Sequence, residues 1–352
     1  MTRFPLAALA ALLLISACTG IAPATPPAAT PAGQPSPAGQ PSPAGQPSPA
    51  GQPTPTPDLS TSCTGQPPGG EATRYPGWPP DETFELVPIP VSSELAVGPN
   101  RVLLNLVDGQ NNQLAAPERA VEMRFYDLAN DPATPAVTVE ADYLPTTEEL
   151  PGLYRASPVE FPCWGDWGLE AVTTEPEGGE RVGRMVFSVR PTTSTPAVGA
   201  PAPASDTPTA DSPDEIAAIS TDTEPDPAFY DTSVEQALAE ERPFLLIFST
   251  PAFCATRTCG PALDIVKSAA ADFRDEVTFI HVEPYRLRQV DGSAQLELDE
   301  RNQPIVVEAV DQWGLISEPY IFVVGADGRV AAKLEGVASE EEIEAALRKV
   351  TD

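Results

Sequence analysis

The stretch from Phe244 to Pro261, Phe-Leu-Leu-Ile-Phe-Ser-Thr-Pro-Ala-Phe-Cys-Ala-Thr-Arg-Thr-Cys-Gly-Pro, decides the fold class of the C-terminal part of this 352-residue chain. Its first five residues form a continuous apolar run, which is typical of a strand buried on both faces. A loop containing Cys254 and Cys259 follows, and Pro261 suits the first turn of a helix. The stretch therefore predicts a buried strand, a cysteine-bearing loop and a helix in succession.

Helices and strands alternate on both sides of this stretch, which predicts an α/β domain over residues 228–352. A polar insertion covers about Asp291 to Asn302. The other expected elements are a helix from Thr232 or Ser233 to Glu240, the cysteine-loop helix to Phe273, a strand over Val277 to Val282, a short helix over Ile305 to Trp313, a hairpin of Tyr320 to Val324 with Arg329 to Glu335, and a final helix capped by Ser339 with Glu342 as a capping box.

This order, with two cysteines directly after a central strand, resembles the thioredoxin fold of the thioredoxin and TlpA-like proteins. The segment Glu318-Pro319-Tyr320-Ile321-Phe322-Val323-Val324 is similar to the cis-proline strand of that family. Leu334-Glu335-Gly336 and the acidic final helix match its C-terminal end. The resemblance implies a redox site made of Cys254 and Cys259, with Pro319 beside it.

The cysteine spacing departs from the family, in which two residues separate the pair, because four residues lie between Cys254 and Cys259. In a continuous helix the two side chains would lie about 140° apart, so a bridge requires that part of the segment be a loop. By chain order Cys254 matches the attacking cysteine of the family, whereas by local sequence Cys259 does. We favour Cys254 as the nucleophile and Cys259 as the resolving thiol.

Two charged residues are predicted to modulate these thiols. The start of the helix favours a thiolate at Cys259, and Arg257 could add to this effect. Glu318 precedes the proline where the family usually has a small or apolar residue. A carboxylate there would raise the pKa of a nearby thiol and make the dithiol more reducing. The alternative is a glutamate exposed in a loop.

Four mechanisms compete for this domain. The first is thiol–disulfide exchange with protein cysteines. The second is a thiol peroxidase that forms a sulfenic acid at Cys254, although Pro251 stands where such enzymes carry threonine or serine. The third is copper delivery of the Sco type, for which His281 is the sole candidate histidine and a buried strand position its alternative. The fourth is a noncatalytic binding module with a structural disulfide. No metal and no cofactor is predicted.

The N-terminal residues predict a targeting signal followed by a stalk. Residues 1–17 combine Arg3, an apolar run and Ile15-Ser16-Ala17-Cys18, which resembles a bacterial lipoprotein signal and implies lipidation of Cys18. An ordinary secretory signal is the alternative. Residues 18–62 repeat Ala-Gly-Gln-Pro-Ser-Pro and predict a disordered polyproline stalk, with a ligand for a proline-binding module as the alternative.

Between the stalk and the α/β domain the sequence predicts a β-sandwich and a linker. Residues 63–190 contain seven short alternating segments with turn residues between them, which favours an immunoglobulin-like sandwich. Phe125-Tyr126-Asp127 and Trp164-Gly165-Asp166-Trp167-Gly168, together with Val97 to Arg101, resemble YtkA-like and FixH-like extracytoplasmic domains. The resemblance implies copper handling or the assembly of membrane complexes, but Met123 and Met185 stand alone and no His or Met cluster would support copper. A spacer or docking module is therefore favoured. Residues 191–227 are acidic and rich in Pro, Ala, Thr and Ser, and predict an interdomain linker.

A bridge between Cys63 and Cys163 is predicted in an oxidising compartment, with two solitary thiols or an intermolecular pair as alternatives.

The net charge is −31, and no domain has an excess of basic residues. Nucleic acid and a polybasic membrane contact are therefore excluded as partners. The expected molecule is a multidomain protein of the cell envelope, anchored by lipid on the extracytoplasmic face of a membrane. Its expected partners are protein thiols or disulfides and a membrane electron donor or acceptor.

Overall fold

The computed structural model describes residues 63, 75, 77–78, 85–146, 152–174 and 178–351. The predicted signal peptide, the lipidation site Cys18 and the stalk to residue 62 lie outside the described residues. The described residues fall within one compact unit, in which a β-rich domain precedes a domain of helices and strands. Within this part of the chain, every helix is too short or too polar to span a bilayer.

The first domain is one eight-stranded sheet with the order β1-β3-β6-β5-β4-β7-β8-β2. Each of the seven strands expected from the sequence overlaps an observed strand, and the two-residue β2 is additional. The strands are β1 (Val87–Pro90), β2 (Leu95–Ala96), β3 (Gly98–Val107), β4 (Val121–Asp127), β5 (Val137–Leu144), β6 (Leu153–Phe161), β7 (Gly165–Thr174) and β8 (Glu180–Arg190).

Side chains from both halves of this sheet share one apolar core. Phe125 on β4, Phe161 on β6 and Trp167 on β7 are all fully buried. The ring of Phe161 stands edge-on to Phe125 at 5.5 Å and to Trp167 at 4.9 Å between centroids. Because β6 and β7 are far apart in the strand order, this contact requires that the sheet fold over on itself as a sandwich.

The second domain has a four-stranded sheet with the order β10-β9-β13-β14 and a separate hairpin of β11 and β12. Strands β9 and β10 run parallel and are connected through α3, whereas β13 is antiparallel to β9 and to β14. The elements are α1 (Pro213–Ile219), α2 (Val234–Ala239), β9 (Phe244–Phe248), α3 (Cys259–Ala270), β10 (Thr278–Val282), β11 (Leu287–Val290), β12 (Ser293–Leu296), α4 (Glu308–Gln312), β13 (Tyr320–Val324), β14 (Val330–Glu335) and α5 (Glu340–Thr351).

Strand β9 is buried on both faces, as its unbroken apolar run predicts. Leu245 and Ile247 pack with buried residues of α3 and α5, whereas Leu246 and Phe248 pack on the opposite face with residues of α2 and with Trp313 after α4. Helices therefore cover both sides of the sheet. The cysteine loop emerges from the end of β9, in the middle of this layered arrangement.

Residues 191–227 are not the expected linker, because they contain α1 and pack on the second domain. Pro201 forms a bridge with Arg329, and the indole nitrogen of Trp313 donates a 3.1 Å hydrogen bond to Ser205 Oγ. Ile216 of α1 lies in the same apolar core as α3 and α5. The prolines and hydroxyl residues that suggest a flexible tether instead form an ordered strap, and we call residues 191–227 the strap.

The two domains also contact each other directly. Arg101 on β3 donates to Glu342 of α5 at 2.7 and 2.9 Å and to the carbonyl oxygens of Glu335 and Val337. Arg155 on β6 forms a second ion pair with Glu342 at 2.9 Å. A small apolar cluster beside them joins Leu103, Leu144 and Leu153 to Val337. The strap and this contact hold the second domain against the sandwich.

Candidate functional site

The cysteine loop is a turn followed by a helix, which brings its two sulfur atoms together. The amide of Cys254 donates to the carbonyl of Thr250 at 3.0 Å, and Arg257 takes a left-handed φ of 61° just before α3 begins at Cys259. The chain thus reverses between the two cysteines, and they form a disulfide with Cα atoms 6.0 Å apart. The four-residue spacing is accommodated by a loop, as the helical geometry requires.

The two cysteines differ in their exposure. Cys259 is completely buried at the start of α3, whereas Cys254 is half-buried and lies on a loop with exposed neighbours. The Oγ1 atom of Thr256 lies 3.2 Å from the sulfur of Cys254 and 2.7 Å from Oγ1 of Thr258. A partner molecule approaching from solvent therefore meets Cys254 before Cys259.

Glu318 faces the disulfide from the opposite loop. Its carboxylate and the two sulfur atoms all lie within 4.8 Å of one another. Glu318 is half-buried, and burial raises the pKa of its carboxyl group, an effect partly offset by the Tyr285 hydroxyl at 3.5 Å. It is thus not a glutamate exposed in a loop. Pro319 follows through a cis peptide bond and is buried.

Arg257, the other predicted modulator, has an exposed side chain. Its backbone amide donates to the carbonyl of Cys254 at 3.2 Å, so its observed contact with the loop is through the main chain.

A second carboxylate, that of Glu283, is linked to the cysteine loop through Thr221 and was not identified from the sequence. Glu283 follows β10, is almost fully buried, and accepts hydrogen bonds from the amide and hydroxyl of Thr221 at 3.1 and 2.8 Å. The same hydroxyl of Thr221, a strap residue, accepts a hydrogen bond from the amide of Ala252 in the cysteine loop. Burial raises the pKa of Glu283 to about 7, and the negative charge of Glu318 contributes.

His281 is a buried core histidine. Its Nδ1 lies 2.9 Å from the hydroxyl of Tyr230, and its Nε2 lies 2.9 Å from Ser249 Oγ. Burial lowers its pKa to about 4, so the ring is neutral at pH 7. The copper-delivery alternative requires a histidine beside the two thiolates, and both nitrogens of His281 are engaged elsewhere. The polar partners of this ring include Ser220 of the strap, at 3.5 Å.

Cys63 and Cys163 form a second disulfide, which lies in the sandwich and not at this site. Their Cα atoms are 5.1 Å apart, and the amide of Cys63 donates to the carbonyl of Trp164. Both cysteines are buried in the sandwich core. Of the predicted site residues, the structure therefore brings together Cys254, Cys259, Glu318 and Pro319, and keeps the Cys63–Cys163 pair separate.

Comparisons with known proteins add a limited structural likeness. No protein-family model matches the chain, and no curated protein matches it. Among solved structures, CopC from Methylosinus trichosporium OB3b is 15% identical with a TM-score of 0.21, covering 30% of this chain and 93% of that one. The soluble domain of PmoD from Methylocystis sp. ATCC 49242 (Rockwell) is 16% identical with a TM-score of 0.16, covering 30% and 88%.

Proposed function

We propose that the second domain is a thioredoxin-like thiol–disulfide oxidoreductase that acts on protein cysteines. The observation that carries the proposal is the pairing of a half-buried Cys254 with a fully buried Cys259 across the start of α3. Two further features support it: the sheet order β10-β9-β13-β14, with the cysteines after the first parallel strand, and Glu318-Pro319 opposite them. Exchange chemistry needs one accessible and one sheltered thiol, and this arrangement supplies both.

The different exposures of Cys254 and Cys259 support the roles proposed for the two thiols. In the reduced domain, the thiolate of Cys254 attacks a partner disulfide, forms a mixed disulfide and releases one partner thiolate, which takes up a proton. Cys259 then loses its proton and attacks the sulfur of Cys254, which releases the second partner thiolate. Two electrons pass to the partner, and the Cys254–Cys259 bridge forms. The same steps in reverse oxidise a partner dithiol.

The charges around the pair favour the reducing direction. The half-buried carboxylate of Glu318 lies within 4.8 Å of both sulfur atoms and disfavours a thiolate there. The start of α3 acts in the opposite sense at Cys259, through its unpaired amides and helix dipole. Because the carboxylate faces both sulfurs, we expect it to dominate and the dithiol to be more reducing than it would be without Glu318.

The proposed setting is the extracytoplasmic face of a bacterial membrane, with an immunoglobulin-like sandwich between the anchor and the redox domain. Two disulfides in one chain suit an oxidising compartment. The lipoprotein-like segment ending at Cys18 would supply the anchor. The proposed partners are extracytoplasmic protein thiols or disulfides and a membrane electron donor or acceptor.

The test is a redox titration of the purified protein, with Cys254→Ser, Cys259→Ser and Glu318→Gln beside the wild type. We expect a reversible two-electron couple, trapping of a mixed disulfide only in Cys259→Ser, and a less reducing couple in Glu318→Gln. A tenfold change in the exchange equilibrium would appear as about 30 mV. Glu300→Gln is the control, because it removes the same negative charge as Glu318→Gln but from an exposed loop.

A bridge that stays oxidised across the glutathione range, with no mixed disulfide in either serine variant, would contradict the proposal. The domain would then be a binding module with a structural disulfide.

A further inference from the structure

Three potential metal ligands converge at the redox site. The sulfur atoms of Cys254 and Cys259 and a carboxylate oxygen of Glu318 lie within 4.8 Å of one another. The Cys63–Cys163 pair has a carboxylate neighbour as well, Asp127. That carboxylate already accepts hydrogen bonds from the amides of two residues in the turn after β4 and from the side chain of Asn130. Among the described residues, in contrast, Glu318 accepts one long hydrogen bond, from Tyr285.

We infer that reduction of the Cys254–Cys259 bridge converts this cluster into a three-ligand binding site for Zn²⁺, with the two thiolates and the Glu318 carboxylate as ligands. The inference rests on the proposed function only in that the bridge must be reducible. A dithiol or phosphine reductant adds two electrons and two protons to the S–S bond. The cation then displaces the two thiol protons as it binds.

The distances fit a tetrahedral zinc ion after small movements. Zinc–sulfur bonds of about 2.3 Å and zinc–oxygen bonds of about 2.1 Å place tetrahedral ligands roughly 3.6 to 3.8 Å apart. The cluster lies within 4.8 Å, so the sulfur atoms must separate from their bond and the carboxylate must approach by about 1 Å. Cys254 and Glu318 both lie on loops, which permits such a shift. A fourth position stays open for water.

The donor set favours zinc over other cations. Calcium and magnesium prefer ligand sets made entirely of oxygen, and two of these three donors are sulfur. Copper(I) is satisfied by soft thiolates, so a carboxylate adds little to its binding. Zinc accepts sulfur and carboxylate oxygen in the same site. Glu318 is therefore the residue that separates a zinc site from a copper(I) site.

The test is a zinc titration of the whole protein after reduction with a phosphine, in competition with a chromophoric zinc chelator. Free thiols are counted first, and two are expected from this pair. We expect one zinc per chain, with affinity reduced at least about tenfold in Glu318→Gln and lost in the Cys254→Ser/Cys259→Ser double variant. Glu300→Gln should bind zinc as the wild type does. When cobalt(II) replaces zinc, the wild type should show a thiolate charge-transfer band. The Cys254→Ser/Cys259→Ser double variant should not show it.

The failures are distinguishable. If no thiols appear on reduction, the bridge is inert and the proposed exchange function fails. If two thiols appear but zinc does not bind, or binds equally well in Glu318→Gln, the zinc inference is overturned and the exchange function stands. Tighter binding of copper(I) than of zinc, unaffected by Glu318→Gln, would also overturn it. Zinc bound as expected should protect both thiols from alkylation.

Discussion

The buried carboxyl of Glu283 should make the stability of the protein fall as the pH rises. Its pKa is about 7 in the folded protein, against an ordinary value of 4.5. Between these pH values the unfolded chain loses the proton while the folded chain keeps it, so the folded state is progressively disfavoured. A difference of about 2.5 between the two pKa values corresponds to about 3 kcal/mol, fully lost above pH 7.

His281 acts in the opposite direction over part of the same range. Its folded pKa of about 4 lies below the ordinary 6.5, so falling pH protonates the unfolded chain first and disfavours the folded state. Between about pH 4.5 and 6.5 the two slopes have equal size and opposite sign. The contributions of these two groups to the free energy of unfolding therefore cancel in this window, and above it only the Glu283 loss continues.

Glu283→Gln removes the contribution of Glu283 to the pH dependence of the free energy of unfolding and leaves that of His281. The glutamine oxygen can still accept from Thr221, and its amide can donate to the buried hydroxyl of Thr250, which already interacts with the Glu283 carboxyl. We expect the variant to match the wild type near pH 4.5 and to exceed it by about 3 kcal/mol above pH 7. The measurement is urea unfolding of the oxidised protein from pH 4.5 to 8.

Subtracting the wild-type free energy of unfolding from that of Glu283→Gln at each pH isolates the contribution of Glu283 from those of all other titrating groups. Glu300→Gln, which removes a carboxylate from an exposed loop, serves as the control. If the Glu283→Gln difference is independent of pH between 4.5 and 8, the carboxyl ionises normally in the folded state and the reasoning from its burial is refuted.

Two further predictions concern how the domains are held together. Glu342→Gln should lower the free energy of unfolding by about 2 to 3 kcal/mol, because it leaves the poorly exposed guanidinium group of Arg101 without its anionic partner and leaves Arg155 paired with Asp142 alone. Glu344→Gln is the control, because Glu344 forms an ion pair with the exposed Arg348 within α5. In the same urea titration it should cost at most about 0.5 kcal/mol, and a loss equal to that of Glu342→Gln would contradict the argument. Gly314→Ala should cost about 1 to 3 kcal/mol and expose the strap to protease, because Gly314 has a φ of 62° and a Cβ there would overlap the carbonyl oxygen of Ser194. Gly199→Ala, also at positive φ but facing open space, should leave the protease pattern unchanged.

The sequence was most informative where apolar patterning or capping chemistry is strong. The run Phe244 to Phe248 is the observed β9, because a strand buried on both faces accommodates five apolar residues in succession. Ser339 and Glu342 form the expected capping box, with reciprocal hydrogen bonds of 3.3 and 3.1 Å. Such signals are local, and the surrounding fold does not override them.

The sequence was least informative where order comes from tertiary contacts. The polar insertion begins at the turn Asp291-Gly292, where both φ angles are positive, and its strand β12 pairs with β11 just before the insertion. That dipeptide is a hairpin signal, but the strands around it carry little apolar alternation. Glu283 had no signal beyond its place after a buried strand, because its importance comes from Thr221, which is 62 residues away in the chain.

The strap shows why composition misjudged the boundary of the second domain. Its residues are those of a flexible tether, yet three consecutive ones are bound to the second domain. Ser220 contacts Tyr230 and His281, Thr221 holds both Glu283 and the cysteine loop, and Asp222 pairs with Lys267 of α3 at 2.9 Å. The buried carboxyl of Glu283 accepts its hydrogen bonds at 3.1 and 2.8 Å from Thr221, and losing such a partner costs about 1 to 3 kcal/mol. A domain cut at residue 228 would therefore retain both cysteines and Glu318 but lose the support beneath them. The folding unit that carries Cys254 and Cys259 begins within the strap, upstream of the boundary that the sequence predicts.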